Sequence, residues 1–245
     1  MTPIIRPLNS KILKCLKNKD ILIFYDLESY GKEKRQKNHY QYRVNTLNEV
    51  KDHIKKHSTK NLLVRTDNPS SPYFLRQILF LQKNKVDNIM IPYFKNLVDL
   101  KILIKININP KKIIYLFETI QSLNKIEKFI KIYKINRCYI GLNDLSISLG
   151  SKLPQDTARL FFSSLITEKC NYLKKNNIIF GVGGISFFND ENLLFKPKII
   201  KKRFLELGSK FVLMSSNFYK KISNLKDVTK IDYFIKKNIK FLKYK

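Results

Sequence analysis

The strongest constraint on the fold is a rhythm in the sequence. Seven short runs, apolar on both faces and bounded by polar or turn residues, occupy positions 21–28, 61–67, 88–94, 113–119, 138–144, 178–185 and 211–215. Runs of this kind read as buried parallel strands. Between them, positions 47–57, 73–84, 122–133, 158–176 and 198–207 carry apolar residues at helical spacing, with lysines on the opposite face. Such alternation builds right-handed βαβ units. The chain has 245 residues, close to the roughly 250 that an eight-stranded (β/α)8 barrel uses. An eighth strand is then expected at the start, within positions 2–10, because the first clear strand begins at Ile21. A doubly wound open sheet is the alternative, since periodicity does not separate the two. No Gly-, Ser- or Pro-rich linker interrupts the pattern, so residues 1–245 are expected to form one domain.

Composition narrows the class. With 44% hydrophobic and 27% charged residues, the chain buries a sizeable core and is neither disordered nor disulfide-stapled. Cys15, Cys138 and Cys170 are far apart, with no C-x-x-C, as expected of buried thiols in a reducing compartment. The first twenty residues read as no signal peptide, and no apolar run is long enough to span a bilayer. A cytoplasmic location is expected. The net charge is +29, and eight arginines among 48 basic residues leave 40 lysines, spread along the whole chain. Dispersed charge raises non-specific affinity for polyanions without making a reader of nucleic acid. The aromatic residues form no stacking platform for single strands. No specific nucleic-acid or membrane partner is therefore expected.

In a barrel the active site is built from the C-terminal ends of the strands. Those ends carry Asp26 and Glu28, Arg65 and Asn68, Lys95, Glu118, and Asn143 with Asp144. Each singly fits a solvated loop residue or helix cap. Their recurrence at successive strand ends is what asks for chemistry. Glu118 and Asp144 are one αβ unit apart, so a barrel makes their strands neighbours, and two such acids suit Mg2+ or Mn2+. His39, His53 and His57 lie on or before the first clear helix, away from these acids, which argues against zinc. Arg65 offers a planar fork for a carboxylate or enolate oxygen. An arginine beside a metal held by two acids suits a 2-oxo acid substrate.

The run I-G-L-N-D-L-S-I-S-L-G, residues 140–150, resembles the G-x-x-D-L-S-x-x-L-G segment of the HpcH/HpaI aldolase and citrate lyase β-subunit family. Other matches follow in the family's order: Y-D-L-E at 25–28, V-R-T-D-N at 64–68, I-M-I-P at 89–92 and F-E-T at 117–119. The resemblance covers about residues 20–150 and is loose beyond, V-G-G-I at 182–185 included. It implies a (β/α)8 barrel that makes or breaks C–C bonds through a metal-bound, pyruvate-type enolate. By position, Glu118 and Asp144 are the implied metal ligands and Arg65 the residue that binds substrate and stabilises the enolate. Glu28 is the implied acid that holds water or Arg65, and the backbone at Gly141 and Asn143 lines the substrate. Ser29 departs from the pattern, because the aldolase branch has a catalytic histidine there and the citrate lyase-like branch an aspartate. His39, eleven residues after Glu28, reads either as a replacement from the following loop or as a surface side chain.

Other features read both ways. Gly181, Gly183 and Gly184 fit a phosphate-approaching turn or a tight strand-end turn. Lys95 fits a Schiff-base lysine or a solvated one, and Cys138 fits core packing. The expected function is a metal-dependent C–C lyase acting on a 2-oxo acid, with Mg2+ or Mn2+ as cofactor, in a homo-oligomer. The alternatives are a catalytically weakened ligand-binding or regulatory barrel, and an acyl-CoA lyase of citrate or malyl type.

Overall fold

Short apolar stretches become strands wherever side chains of both faces are buried, and eight do so among the described residues. In the computed structural model, which describes residues 1–32, 44–151 and 154–243, they are β1 (Thr2–Ile5), β2 (Leu22–Asp26), β3 (Leu62–Arg65), β4 (Asn88–Ile91), β5 (Ile113–Phe117), β6 (Arg137–Ile140), β7 (Ile179–Ile185) and β8 (Phe211–Met214). They form a closed parallel barrel in sequence order. The expected eighth strand is β1, and the open-sheet alternative is set aside.

The chain divides into two compact units, residues 24–152 and residues 1–23 with 153–245. In the first, β3 to β6 pair in parallel, with Arg65 opposite Met90, Met90 opposite Ile114 and Phe117 opposite Ile140. Phe94, Phe117 and Phe129 pack edge-on or tilted with centroids 5.0–5.7 Å apart. This cluster seats the end of β5 against the helix Ile126–Tyr133, which fixes the strand end from which Glu118 projects. Position 144 is not strand, as the sequence pattern suggested. β6 stops at Ile140 and a helix spans Leu142–Ser148 with Gly141 as its N-cap, which places Asp144 in the first turn. An acid there is favoured by the helix dipole. The stretch 122–133 is likewise broken, into Ile120–Asn124 and Ile126–Tyr133, with Thr119 capping the first piece.

In the second unit β1 pairs with the start of β2 and with β8, and β7 pairs with β8. The register shifts between Gly181 and Gly184, and Gly183 has φ +61°. The three glycines thus lie inside a strand and form a bulge, which favours the tight-backbone reading over a phosphate loop. The stretch 158–176 is two helices, Pro154–Phe161 and Ser164–Lys175, because Ser163 caps the second by accepting from the Ile166 amide. Cys15, Cys138 and Cys170 are free and buried. Among the described residues no helix is long and apolar enough to cross a membrane.

Candidate active site

The C-terminal ends of β2 and β3 carry a buried charge cluster. Strand alternation sends Tyr25 and Asp26 to opposite faces of β2. Tyr25 meets His53 on the helix Leu47–Lys56, with Oη and Nδ1 3.2 Å apart. Asp26, fully buried, accepts a side-on pair from Arg65: Nε to Oδ1 at 2.8 Å and Nη2 to Oδ2 at 2.7 Å. Arg65 ends β3, its Nη2 is 3.3 Å from Glu28 Oε2, and its guanidinium lies 5.7 Å from the Phe24 ring centre. The backbone locks the two ends together through Leu27 N–H donating to Arg65 C=O at 2.9 Å. Burial alone would lower the Arg65 pKa, but Asp26 and Glu28, with Glu118 adding to them, hold it well above its ordinary value. Glu118 therefore lies within electrostatic reach of this guanidinium. Nε and Nη2 are committed to Asp26, and Nη1 makes no hydrogen bond among the described residues.

A fourth group, Lys32, carries no signal in the family motif. Its Nζ is 2.9 Å from Asp26 Oδ2 and 3.6 Å from Glu28 Oε2. The only hint is spacing, because Lys32 follows Glu28 by one helical turn. Asp26 was legible as one strand-end acid among several and as part of the Y-D-L-E match at 25–28, with no role attached to it.

The Ser29 position is committed elsewhere. Its amide and hydroxyl both donate to Asp67 Oδ1, at 2.7 and 3.3 Å, and the Tyr30 amide donates to the same oxygen at 2.8 Å. Gln77 holds Asp67 from the other side, with Nε2 donating to Oδ2 at 2.9 Å. Asn68 secures the same loop by donating to the Tyr30 carbonyl at 2.9 Å. His39 lies outside the described residues. Lys95 is exposed beyond β4, its Nζ 5.2 Å from the Tyr93 ring centre, and so it is a solvated lysine.

The two implied metal ligands stand at the ends of paired strands. Glu118, 2% exposed, directly follows β5, and Asp144, 6% exposed, is in the first turn of the helix after β6. Gly141 joins them. Its amide donates to Phe117 C=O at 2.9 Å, and a Cβ at this position would stand 3.1 Å from Glu118 Cβ, from Glu118 Oε2 and from Leu116 Cδ1. The cradle beside Glu118 thus exists because residue 141 has no side chain. Asn143 is exposed in the first turn, and its carbonyl accepts from Ser146 Oγ at 2.8 Å. Among the described residues no group of three or more His, Cys, Asp or Glu gathers as a metal cluster. Two buried carboxylates with oxygen donors only, leaving the other positions to water and substrate, fit Mg2+ or Mn2+ and not zinc.

The sequence matches no protein-family model and no curated protein. Solved structures do match. A citrate lyase from Burkholderia xenovorans superimposes with a TM-score of 0.62 at 12% identity, over 95% of this chain and 76% of that one. The citrate lyase β subunit of Mycobacterium tuberculosis, complexed with oxaloacetate and magnesium, gives 0.59 at 12% identity, over 89% and 93%. A complex of CitE from the same organism with magnesium and pyruvate gives 0.57 at 12% identity, over 97% of each chain. The fold of this chain is thus that of the citrate lyase β subunit and its relatives, the family that its motifs between Tyr25 and Gly150 resemble.

Proposed function

We propose that the chain is a divergent member of the HpcH/HpaI aldolase and citrate lyase β-subunit family, a magnesium- or manganese-dependent C–C lyase acting on a small 2-oxo acid. The observation that carries this reading is the side-on Asp26–Arg65 pair within electrostatic reach of the Glu118 carboxylate, itself set against Gly141. Asp26 fixes the guanidinium so that Nη1 is left to bind a substrate carboxylate or enolate oxygen. Preorganised donors of this kind are worth about 3–4 kcal/mol each in acyl-transfer enzymes. Glu118 and Asp144 would hold the divalent cation, which supplies Lewis acidity at the 2-oxo group. Glu28 is the acid placed to hold a water or exchange a proton next to Arg65. The burial of Asp26, Glu28 and Arg65 keeps bulk water from these charges.

Oxaloacetate decarboxylation is the least demanding assay, since it asks only for the cation and Arg65. With Mn2+ the pure protein is expected to exceed the metal-only rate, and Arg65→Ala to remove the excess. Calorimetry should show Mn2+ binding that is lost in Asp144→Ala. One observation favours a second reading, a binding or regulatory barrel: Ser29 is tied by three atoms of its loop to Asp67 and cannot replace a proton-transfer side chain. Normal oxaloacetate binding with no decarboxylation above the metal-only rate would decide for that reading. On either reading the partner is a small 2-oxo acid, and we place the protein in the cytoplasm as a homo-oligomer.

A further inference from the structure

We infer that Asp67 is a positioning residue for this site, the group that fixes the backbone from which Glu28 reaches the substrate. The inference rests on the lyase reading above, with Glu28 as the group that exchanges a proton. Glu28 lies beyond the end of β2, outside the strand ladder. Its carboxylate meets Arg65 Nη2 at 3.3 Å and Lys32 Nζ at 3.6 Å, among other partners. Those contacts aim the carboxylate only as well as the backbone behind it is held. Four consecutive amides hold it. Leu27 donates to the Arg65 carbonyl at 2.9 Å, and Glu28 to Asp26 Oδ1 at 3.2 Å. Ser29 and Tyr30 both donate to Asp67 Oδ1, at 2.7 and 2.8 Å, and the Ser29 hydroxyl adds a third donor at 3.3 Å. Directly after Glu28, then, the chain wraps around one carboxylate oxygen. Asn68 supplies the opposite polarity by donating to the Tyr30 carbonyl at 2.9 Å. Gly31, at φ +72°, lets the turn close, with the Lys32 amide donating to the Ser29 carbonyl at 3.2 Å.

Asp67 is itself locked. It is fully buried, and a buried carboxylate is costly unless its oxygens are bonded. Here the bonds come from the loop and from Gln77 on the helix Phe74–Lys83. Gln77 engages it in both polarities: Nε2 donates to Asp67 Oδ2 at 2.9 Å, and Oε1 accepts from the Asp67 amide at 2.7 Å. Turning the carboxylate away from the loop would break a bond to Gln77 as well. Asp67 follows Arg65 by two residues at the end of β3, so one strand end registers both the guanidinium and the anchor for Glu28.

Exchange of the pyruvate methyl protons for deuterium, followed by NMR in heavy water with Mg2+, reads the step assigned to Glu28. A proton leaves carbon 3 for the carboxylate, the C–H electron pair enters the enolate, and a deuteron from solvent later forms the new bond at carbon 3. Asp67→Asn keeps an acceptor for the loop but sets one amide NH2 group against that of Gln77, so a bond to Gln77 or to the loop is lost. Exchange is expected to fall about tenfold to a hundredfold, as for a shift of about 1 Å at a reacting group. Oxaloacetate decarboxylation, which asks only for the cation and Arg65, should fall by less than about threefold. Adding Gln77→Glu to Asp67→Asn reverses the polarity on both sides, and should return exchange to within about threefold of wild type. Melting curves identify a variant that fails to fold, and Gln77→Leu then takes the place of Asp67→Asn with the same split expected. Wild-type exchange in the single variant would overturn the inference. So would equal losses of exchange and decarboxylation, or a double variant no better than the single one. A wild-type protein that decarboxylates oxaloacetate without exchanging pyruvate protons would overturn the inference while leaving the lyase reading intact. One that does neither would overturn both.

Discussion

At the scale of single residues, the site is held by groups whose removal strands a partner. Asp26→Ala leaves Arg65 and Lys32 facing one buried acid instead of two. Breaking a buried pair from one side typically costs about 3–5 kcal/mol, so denaturant unfolding should show a loss of that order. Gly141 is subject to a different limit. A methyl group there would sit 3.1 Å from three atoms of Glu118 and Leu116, closer than ordinary carbon contacts. Gly141→Ala should cost about 1–3 kcal/mol through overpacking. It should also displace Glu118, so calorimetry is expected to show weaker Mn2+ binding even where the protein remains folded. Unchanged Mn2+ affinity in this variant would separate Glu118 from the cation.

At the scale of elements, short helices depend on their ends. The helix Leu47–Lys56 begins with a reciprocal cap: Thr46 Oγ1 accepts from the Glu49 amide at 3.2 Å, and Glu49 Oε2 accepts from the Thr46 amide at 2.7 Å. This helix carries His53, which anchors Tyr25 next to Asp26. Thr46→Ala should cost about 1 kcal/mol, read as a lowered thermal midpoint, with oxaloacetate binding kept. The same local rules explain where the sequence pattern misjudged boundaries. Ser163 acts as an N-cap inside the stretch 158–176 that periodicity reads as a single helix, Thr119 caps a helix at the end of a run read as strand, and β6 stops at Ile140, four residues before Asp144. Periodicity averages over a window and does not register one capping hydroxyl.

For the whole molecule, charge and buried acids set the response to solution conditions. With a net charge of +29, self-repulsion opposes the compact state and salt screens it. The thermal midpoint should therefore rise between about 0.01 and 0.15 M NaCl, where the screening length falls from about 30 to 8 Å. A midpoint that falls over this range would mean that attractive ion pairs outweigh the repulsion. Alkali acts through burial. Desolvation pushes the Cys170 thiol up from 9.0 to about 12, against the smaller lowering by Arg203 and Lys174. It likewise pushes Tyr25 up from 10.0 to about 12, with Glu49 adding to it. Both groups deprotonate first in the unfolded chain, so their stability is fully present below about pH 9 and lost as pH rises toward 12. Urea midpoints measured from pH 8 to 11 should decline, and less steeply in Cys170→Ala once its lower starting stability is subtracted.

What the sequence determined by itself was whatever depends on local pattern and order. Alternating apolar runs dictated parallel strands with covering helices, the chain length agreed with eight of them, and the weak first strand was inferred from count before Thr2–Ile5 is seen to pair with β8. Charged residues at strand ends, Arg65 and Glu118 among them, were legible because packing offers no reason for charge directly after an apolar run, whereas the helix that carries Asp144 was not. Partnership was not legible, because it joins residues distant in sequence. That Asp26 grips Arg65 across 39 positions, that Asp67 takes up Ser29, and that Lys32 reaches back over both acids follow only once β2 and β3 lie side by side. Hydrogen bonds and ion pairs act within about 3–4 Å, a range that spacing along the chain does not encode and that the closed parallel barrel does.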